Sequence, residues 1–135
     1  GAEVLAKIQA TFGCDWADDE KTMETINAVY GERRYIADTH TAVAWDSAHK
    51  YMLQGNAEPM VVVSTASPYK FSGSVMEAIF GKSEGKDEFV LIDEMAKASG
   101  VAIPQAIEEI RTAPIRHNRQ CAPAEMEQTV ADILK

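Results

Sequence analysis

The chain is 135 residues long, with 46% hydrophobic and 25% charged residues and a formal net charge of −8. That length suits one domain, and the composition is that of an ordinary folded chain, neither disordered nor fibrous. The acidic balance argues against nucleic acid as a partner, because phosphate binding needs a clustered basic surface; the one basic cluster, Arg116-His117-Asn118-Arg119, reads as a solvated loop, or as a hold for a small anion or a partner's acidic patch.

In chain order, Val4, Leu5, Ile8 and Phe12 recur at helical spacing with Gly13 beyond them, which predicts an amphipathic first helix. Asp18, Asp19 and Glu20 stand where acidic side chains favour a helix start, ahead of Met23, Ile26 and Tyr30, with Gly31 as the stop. This acidic run is read as capping, not metal binding. Tyr35-Ile36-Ala37 is a short extended lead-in, and Asp38-Thr39 offers a side-chain cap for a helix from about His40 to Leu53, ended by Gly55-Asn56. Thr41, Ala44, Ala48 and Met52 share one side of it, small residues that permit close packing.

Met60 to Val63 is β-branched and continuous, the pattern of a strand covered on both faces in a parallel sheet. It is the one strong strand signal, so its partner is Tyr35 to Ala37, another copy of the chain, or a segment outside these residues. Ser72 or Ser74 is placed to cap a short helix from Val75 to Phe80, and Gly81 to Asp87 forms a polar loop. Phe89, Ile92, Met95, Ala96 and Ser99 predict another helix closed by Gly100. Pro104 leads a helix through Ile107 and Ile110, and Pro123 leads one through Met126, Val130, Ile133 and Leu134. The expected fold is α/β but predominantly helical, about six helices around one or two short strands, in a single globular unit over residues 1–135.

Cys14 and Cys121 lack metal-ligand spacing and read as free, reduced thiols. His40 and His49 fall half a turn off a common helical face and His117 stands apart, so no metal site is expected. No run approaches the roughly 20 apolar residues of a membrane span and no signal-peptide pattern opens the chain, so a cytoplasmic address follows by default.

The chemistry gathers at Ser64-Thr65-Ala66-Ser67. A buried strand ending in these residues, with a helix beyond, sets hydroxyls and backbone N–H groups at the carboxyl edge of a sheet, where α/β folds bind ligands. Serine and threonine also end strands simply by hydrogen-bonding nearby backbone. Ser64 lacks the G-x-S-x-G elbow of a hydrolase nucleophile. Lys70, between Tyr69 and Phe71, is either a desolvated amine or a surface lysine whose stem covers the rings.

The run Asp38-Thr39-His40-Thr41-Ala42-Val43-Ala44, followed by Val63-Ser64-Thr65-Ala66-Ser67-Pro68-Tyr69-Lys70-Phe71, resembles the carboxyl-terminal portion of bacterial threonine synthase. The lead-in from Asp15 to Glu20 with Thr22 to Ile26, and the tail from Ile103-Pro104 to Leu134, resemble that family too. The resemblance implies a fragment of a fold-type II, tryptophan-synthase-like enzyme that uses pyridoxal phosphate. The implied reaction is a lyase reaction converting O-phosphohomoserine and water to threonine and phosphate, with O-phosphohomoserine as the small-molecule substrate of the parent.

By the same resemblance Thr65 takes the position of the neutral hydroxyl facing the cofactor's pyridine nitrogen, with Ser64 and Ser67 lining the same turn. Ser67 stands where many relatives have histidine. The family's Schiff-base lysine and its phosphate-cradling glycine loop belong to segments nearer the amino terminus, so no catalytic residue is expected in this chain. Lys86-Asp87, the one Lys-Asp pair, lacks the aromatic-serine lead and is rejected as that lysine. The fragment alone is then expected to be inactive and to hold no cofactor tightly. Two rival readings stand beside this one: a non-enzymatic helical interaction module that adds its strand to a partner's sheet, and a small anion-binding domain using Ser64 to Ser67. An unpaired strand edge would also allow a homo-oligomer.

Overall fold

In the computed structural model, which describes every residue except 82 and 84, helices are laid down one after another with short turns between them. Among the described residues they are α1 (Ala2–Gln9), α2 (Asp19–Arg33), α3 (Thr39–Leu53), α4 (Ser72–Phe80), α5 (Glu88–Ser99), α6 (Gln105–Thr112) and α7 (Met126–Ile133). Short 3-10 turns, Pro68–Phe71 and Pro123–Glu125, lead into α4 and α7. The chain is predominantly helical, as expected.

Three helices start on an aspartate whose carboxylate accepts otherwise unpaired backbone N–H groups. Asp18 accepts from the Lys21 amide at 2.8 Å, Asp38 from the His40 amide at 2.9 Å, and Asp87 from the Phe89 amide at 2.9 Å. The acidic run before α2 is therefore a cap. Gly100, in the left-handed region at φ 70°, ends α5. Gly31 does not end α2: the helix passes through it, and Arg34 takes the left-handed position at φ 56°. Glycine inside a helix costs only about 1 kcal/mol, and continuing brings the Arg34 guanidinium 5.5 Å from the centroid of the Tyr30 ring, which also meets the Phe80 ring 5.8 Å away.

The core forms where α2 packs on α3 and α4, and α4 on α5. Ile26, Ala37, Ala42, Val75 and Met95 are fully buried, with Ile36, Tyr69, Met76, Leu91 and Ile92 around them. On α3 the buried residues are Thr41, Ala42 and Asp46, so the packed stripe is rotated from the expected Thr41, Ala44, Ala48 and Met52 side. Helices α1 and α7 bury nothing, and α1 stops at Gln9, leaving Phe12 outside it and exposed. Neither Ser72 nor Ser74 caps α4. The preceding 3-10 turn does that work, opened by Ser67 Oγ accepting from the Tyr69 amide at 3.3 Å. Ser72 is fully buried at the first turn of α4, and its hydroxyl has no partner among the described residues. Of the polar loop expected from Gly81 to Asp87, positions 82 and 84 lie outside the described residues.

The expected strand at Met60 to Val63 is not formed: among the described residues there is no strand at all. A strand is a pairing, and this run meets no second edge among the described residues. Its side chains nonetheless alternate. Met60 and Val62 line a groove beside α2 and α3, and Val62 and Ser64 line a second hollow with Tyr35 and Thr41. Val61 and Val63 on the other side are 85% and 66% exposed, and Val62 alone of the four is half-buried, so the segment is not covered on both faces. No helix among the described residues is long and apolar enough to cross a membrane.

Candidate functional site

The two motifs singled out in the sequence meet in space. The Asp38 carboxylate, 1% exposed, sits under the first turn of α3, where Oδ1 accepts from the His40 and Thr41 amides at 2.9 and 3.3 Å. Its other oxygen accepts a hydrogen bond from the Thr41 hydroxyl. Thr41 Oγ1 lies 3.2 Å from Ser64 Oγ, and the Tyr35 hydroxyl lies 3.4 Å from Ser64 Oγ. Beside this row the His40 ring packs at 5.0 Å on the ring of Phe71, with its Nδ1 3.3 Å from Asp38 Oδ1. Thus the first turn of α3 touches both ends of the segment from Ser64 to Phe71.

The turn is also anchored from below. Tyr69 is buried and donates its hydroxyl proton to the Val101 carbonyl at 2.6 Å, which fixes the 3-10 turn to the exit of α5. The three expected site residues differ in what they have left to offer. Ser64 is engaged with Thr41 and Tyr35, and the oxygen of Ser67 accepts from the Tyr69 amide. Thr65 is exposed, and its hydroxyl makes no hydrogen bond among the described residues. Lys70 is exposed on the same turn, whereas Lys86 is paired with Glu94 at 2.7 Å.

Strong charge pairing lies away from the turn. The Asp46 carboxylate raises the pKa of Lys50, 2.9 Å away, and Asp15 adds to it. That ammonium also donates to the Trp16 carbonyl at 2.8 Å, tying the segment before α2 to α3. Asp15 is held below the usual carboxylate value by the Trp16 backbone N–H and by Lys50. On the far side Arg111 grips Asp93 at 2.5 Å, which raises its pKa; Glu108 stands 2.8 Å from Nε, outside hydrogen-bonding geometry, and the Phe89 ring lies 5.0 Å below. Among the described residues no group of three or more His, Cys, Asp or Glu could hold a metal ion.

Sequence reasoning assigned Asp38 only to capping and Thr41 only to packing, and it missed Tyr35 as a hydroxyl donor. The signal for the first two was present: an N-cap aspartate with a threonine three positions on sets the hydroxyl against the free carboxylate oxygen. Nothing local in the sequence ties Tyr35 to Ser64.

A family model described as "Threonine synthase, C-terminal" matches residues 41–120, which take in the end of the first motif and all of the second. Threonine synthase-like 1 from Homo sapiens is 34% identical over 76 residues, covering 56% of this chain and 10% of that protein. The same-named protein from Macaca fascicularis is 36% identical over a stretch of the same extent. Threonine synthase from Saccharomyces cerevisiae is 32% identical over 95 residues, 65% of this chain and 18% of that enzyme. The chain therefore spans between about a tenth and a fifth of the length of these relatives. With its two motifs joined at the head of α3 and more than half its length matched, the chain belongs to the threonine synthase C-terminal family.

Proposed function

We propose that this chain is the carboxyl-terminal portion of a threonine synthase of tryptophan-synthase-like fold. Such an enzyme is a pyridoxal-phosphate lyase that turns O-phosphohomoserine and water into threonine and phosphate. On this reading residues 1–135 form one unit that supplies a wall of the cofactor site, while the lysine that carries the cofactor covalently and the phosphate-binding loop come from elsewhere in the parent. The observation that carries it is the pairing of the two motifs through Thr41 and Ser64, which leaves the Thr65 hydroxyl exposed at the tip of their junction.

The residues fit one edge of the cofactor. A neutral hydroxyl without a partner among the described residues suits an unprotonated ring nitrogen, to which it donates, whereas a carboxylate there would hold that nitrogen protonated. Thr65 would meet the ring, and Ser64 and Ser67 would shape the turn that carries it. When bound, the cofactor serves as an electron sink for the substrate's amino carbon. Thr65, carrying no charge, would leave the nitrogen unprotonated and so temper that pull, and Tyr69 would keep the turn from moving. Val61 and Val63, apolar, β-branched and open, support the same picture: they are a side-chain face that another layer of the parent would cover, while the segment's backbone edge stays open to the parent's sheet.

The test is to join the chain to an upstream threonine synthase segment that bears the lysine. Threonine forms in the joined protein and falls about tenfold on Thr65→Val, the loss that one hydrogen bond to the cofactor sets. Full activity in Thr65→Val, or a saturable covalent cofactor absorbance in the 135-residue chain alone, overturns the reading.

A further inference from the structure

We infer that Asp38 is a positioning residue which, through Thr41 and Ser64, locks the turn from Ser64 to Ser67 and leaves Thr65 as the hydroxyl that faces a ligand. The inference rests on the functional reading only for the identity of that ligand.

Each hydroxyl owns one proton, and that decides the direction of the row. Thr41 gives its proton to Asp38, so toward Ser64, 3.2 Å away, it can only accept. Ser64 must therefore donate to Thr41, and with its proton so committed it accepts from Tyr35 at 3.4 Å. The row runs one way, from Tyr35 through Ser64 and Thr41 to a carboxylate that is 1% exposed. Hydrogen bonds that end on a buried charge are stronger than neutral ones and polarise those before them.

Two consequences follow for the site. Ser64 has no proton left for an unprotonated ring nitrogen, so among the expected contacts it is a support and not a donor. The extended chain does the rest: Val62 is half-buried against α2, α3 and Tyr35, and Ser64, though exposed, lines the same hollow, while Val61 and Val63 stand open, and an extended backbone sets Thr65 on the side opposite Ser64. Fixing Ser64 inward thereby fixes Thr65 outward with its proton available.

The test compares Thr41→Val, Ser64→Ala and the double variant in the 135-residue chain by backbone amide NMR. Thr41→Val leaves the Asp38 bonds to the His40 and Thr41 amides in place, so a merely structural role in the α3 cap is not disturbed, and those amide shifts stay put. The order parameter of Thr65 should fall from about 0.85 toward about 0.6 in each single variant, with no further fall in the double, and Thr41→Ser should restore it. A Thr65 that stays rigid in both single variants, or effects that add in the double, overturns the inference. In the joined, cofactor-bearing protein, Ser64→Ala should speed cofactor release about fivefold. If the turn loosens as stated but Thr65→Val leaves the cofactor untouched, the lock stands and the cofactor reading falls. If Thr65→Val releases cofactor and the turn does not loosen, the lock falls alone.

Discussion

Thr41 and Ser64, 23 positions apart in sequence, hold their hydroxyl oxygens 3.2 Å from each other. That contact welds the start of α3 to an otherwise unpaired extended segment, and it depends on a carboxylate that has left solvent to sit beneath both.

Removing that carboxylate should be felt by the whole fold. Asp38→Ala strips two backbone N–H groups and the Thr41 hydroxyl of the acceptor they share. The expected cost is about 2–3 kcal/mol in urea unfolding, against about 1 kcal/mol or less for Asp38→Asn, which keeps an oxygen for the cap. Equal costs for the two would remove the cap from the account.

Thr65 should behave in the opposite way. Its side chain is exposed and bonded to nothing among the described residues, so Thr65→Val and Thr65→Ser should each stay within about 0.5 kcal/mol of the parent in stability. In the joined enzyme only the valine loses activity, about tenfold, because serine keeps the donor. A serine variant as poor as the valine one would point to the methyl group instead.

Ser72 is a buried hydroxyl with no acceptor among the described residues. Ser72→Ala takes away a polar group that was desolvated for nothing, and we expect a gain of about 1 kcal/mol in thermal or urea unfolding. A loss of that size would mean that the hydroxyl is satisfied in solution.

The Lys50 junction gives stability a flat top with two shoulders. Asp15 has its pKa lowered, by the Trp16 N–H first and Lys50 after, so its contribution is present above its ordinary value of about 3.9 and is lost as pH falls through the lower folded value. Lys50 has its pKa raised, by Asp46 first and Asp15 after. Its contribution is whole below about 10.4 and is lost as pH rises through the higher folded value. Urea midpoints measured across pH should show both shoulders. Lys50→Met should abolish the alkaline one and keep part of the acid one, since the Trp16 N–H is still there.

Much of this was legible along the chain. Asp18, Asp38 and Gly100 marked helix ends correctly, because a cap is a bond between neighbours and its chemistry is local. Gly31 misled because a glycine is compatible with a stop without requiring one: α2 runs on to Arg33 and closes where the Arg34 amide donates to the Tyr30 carbonyl. The Met60 to Val63 run was read as a strand from its residue types, yet a ladder needs a second edge, and none lies among the described residues. At the candidate site the turn from Ser64 to Ser67 could be picked out. The division of labour within it could not, since it is set by a buried aspartate and a tyrosine from two other segments.

Arg111 clasps Asp93 from the last turn of α6 and lies over Phe89, so its peptide bond is shielded from an enzyme that must draw arginine into a pocket of its own. Arg116 and Arg119 lie beyond that helix, exposed and in no regular structure. Brief digestion with trypsin should therefore nick the chain after one of these two well before Arg111, shedding α7 as a peptide.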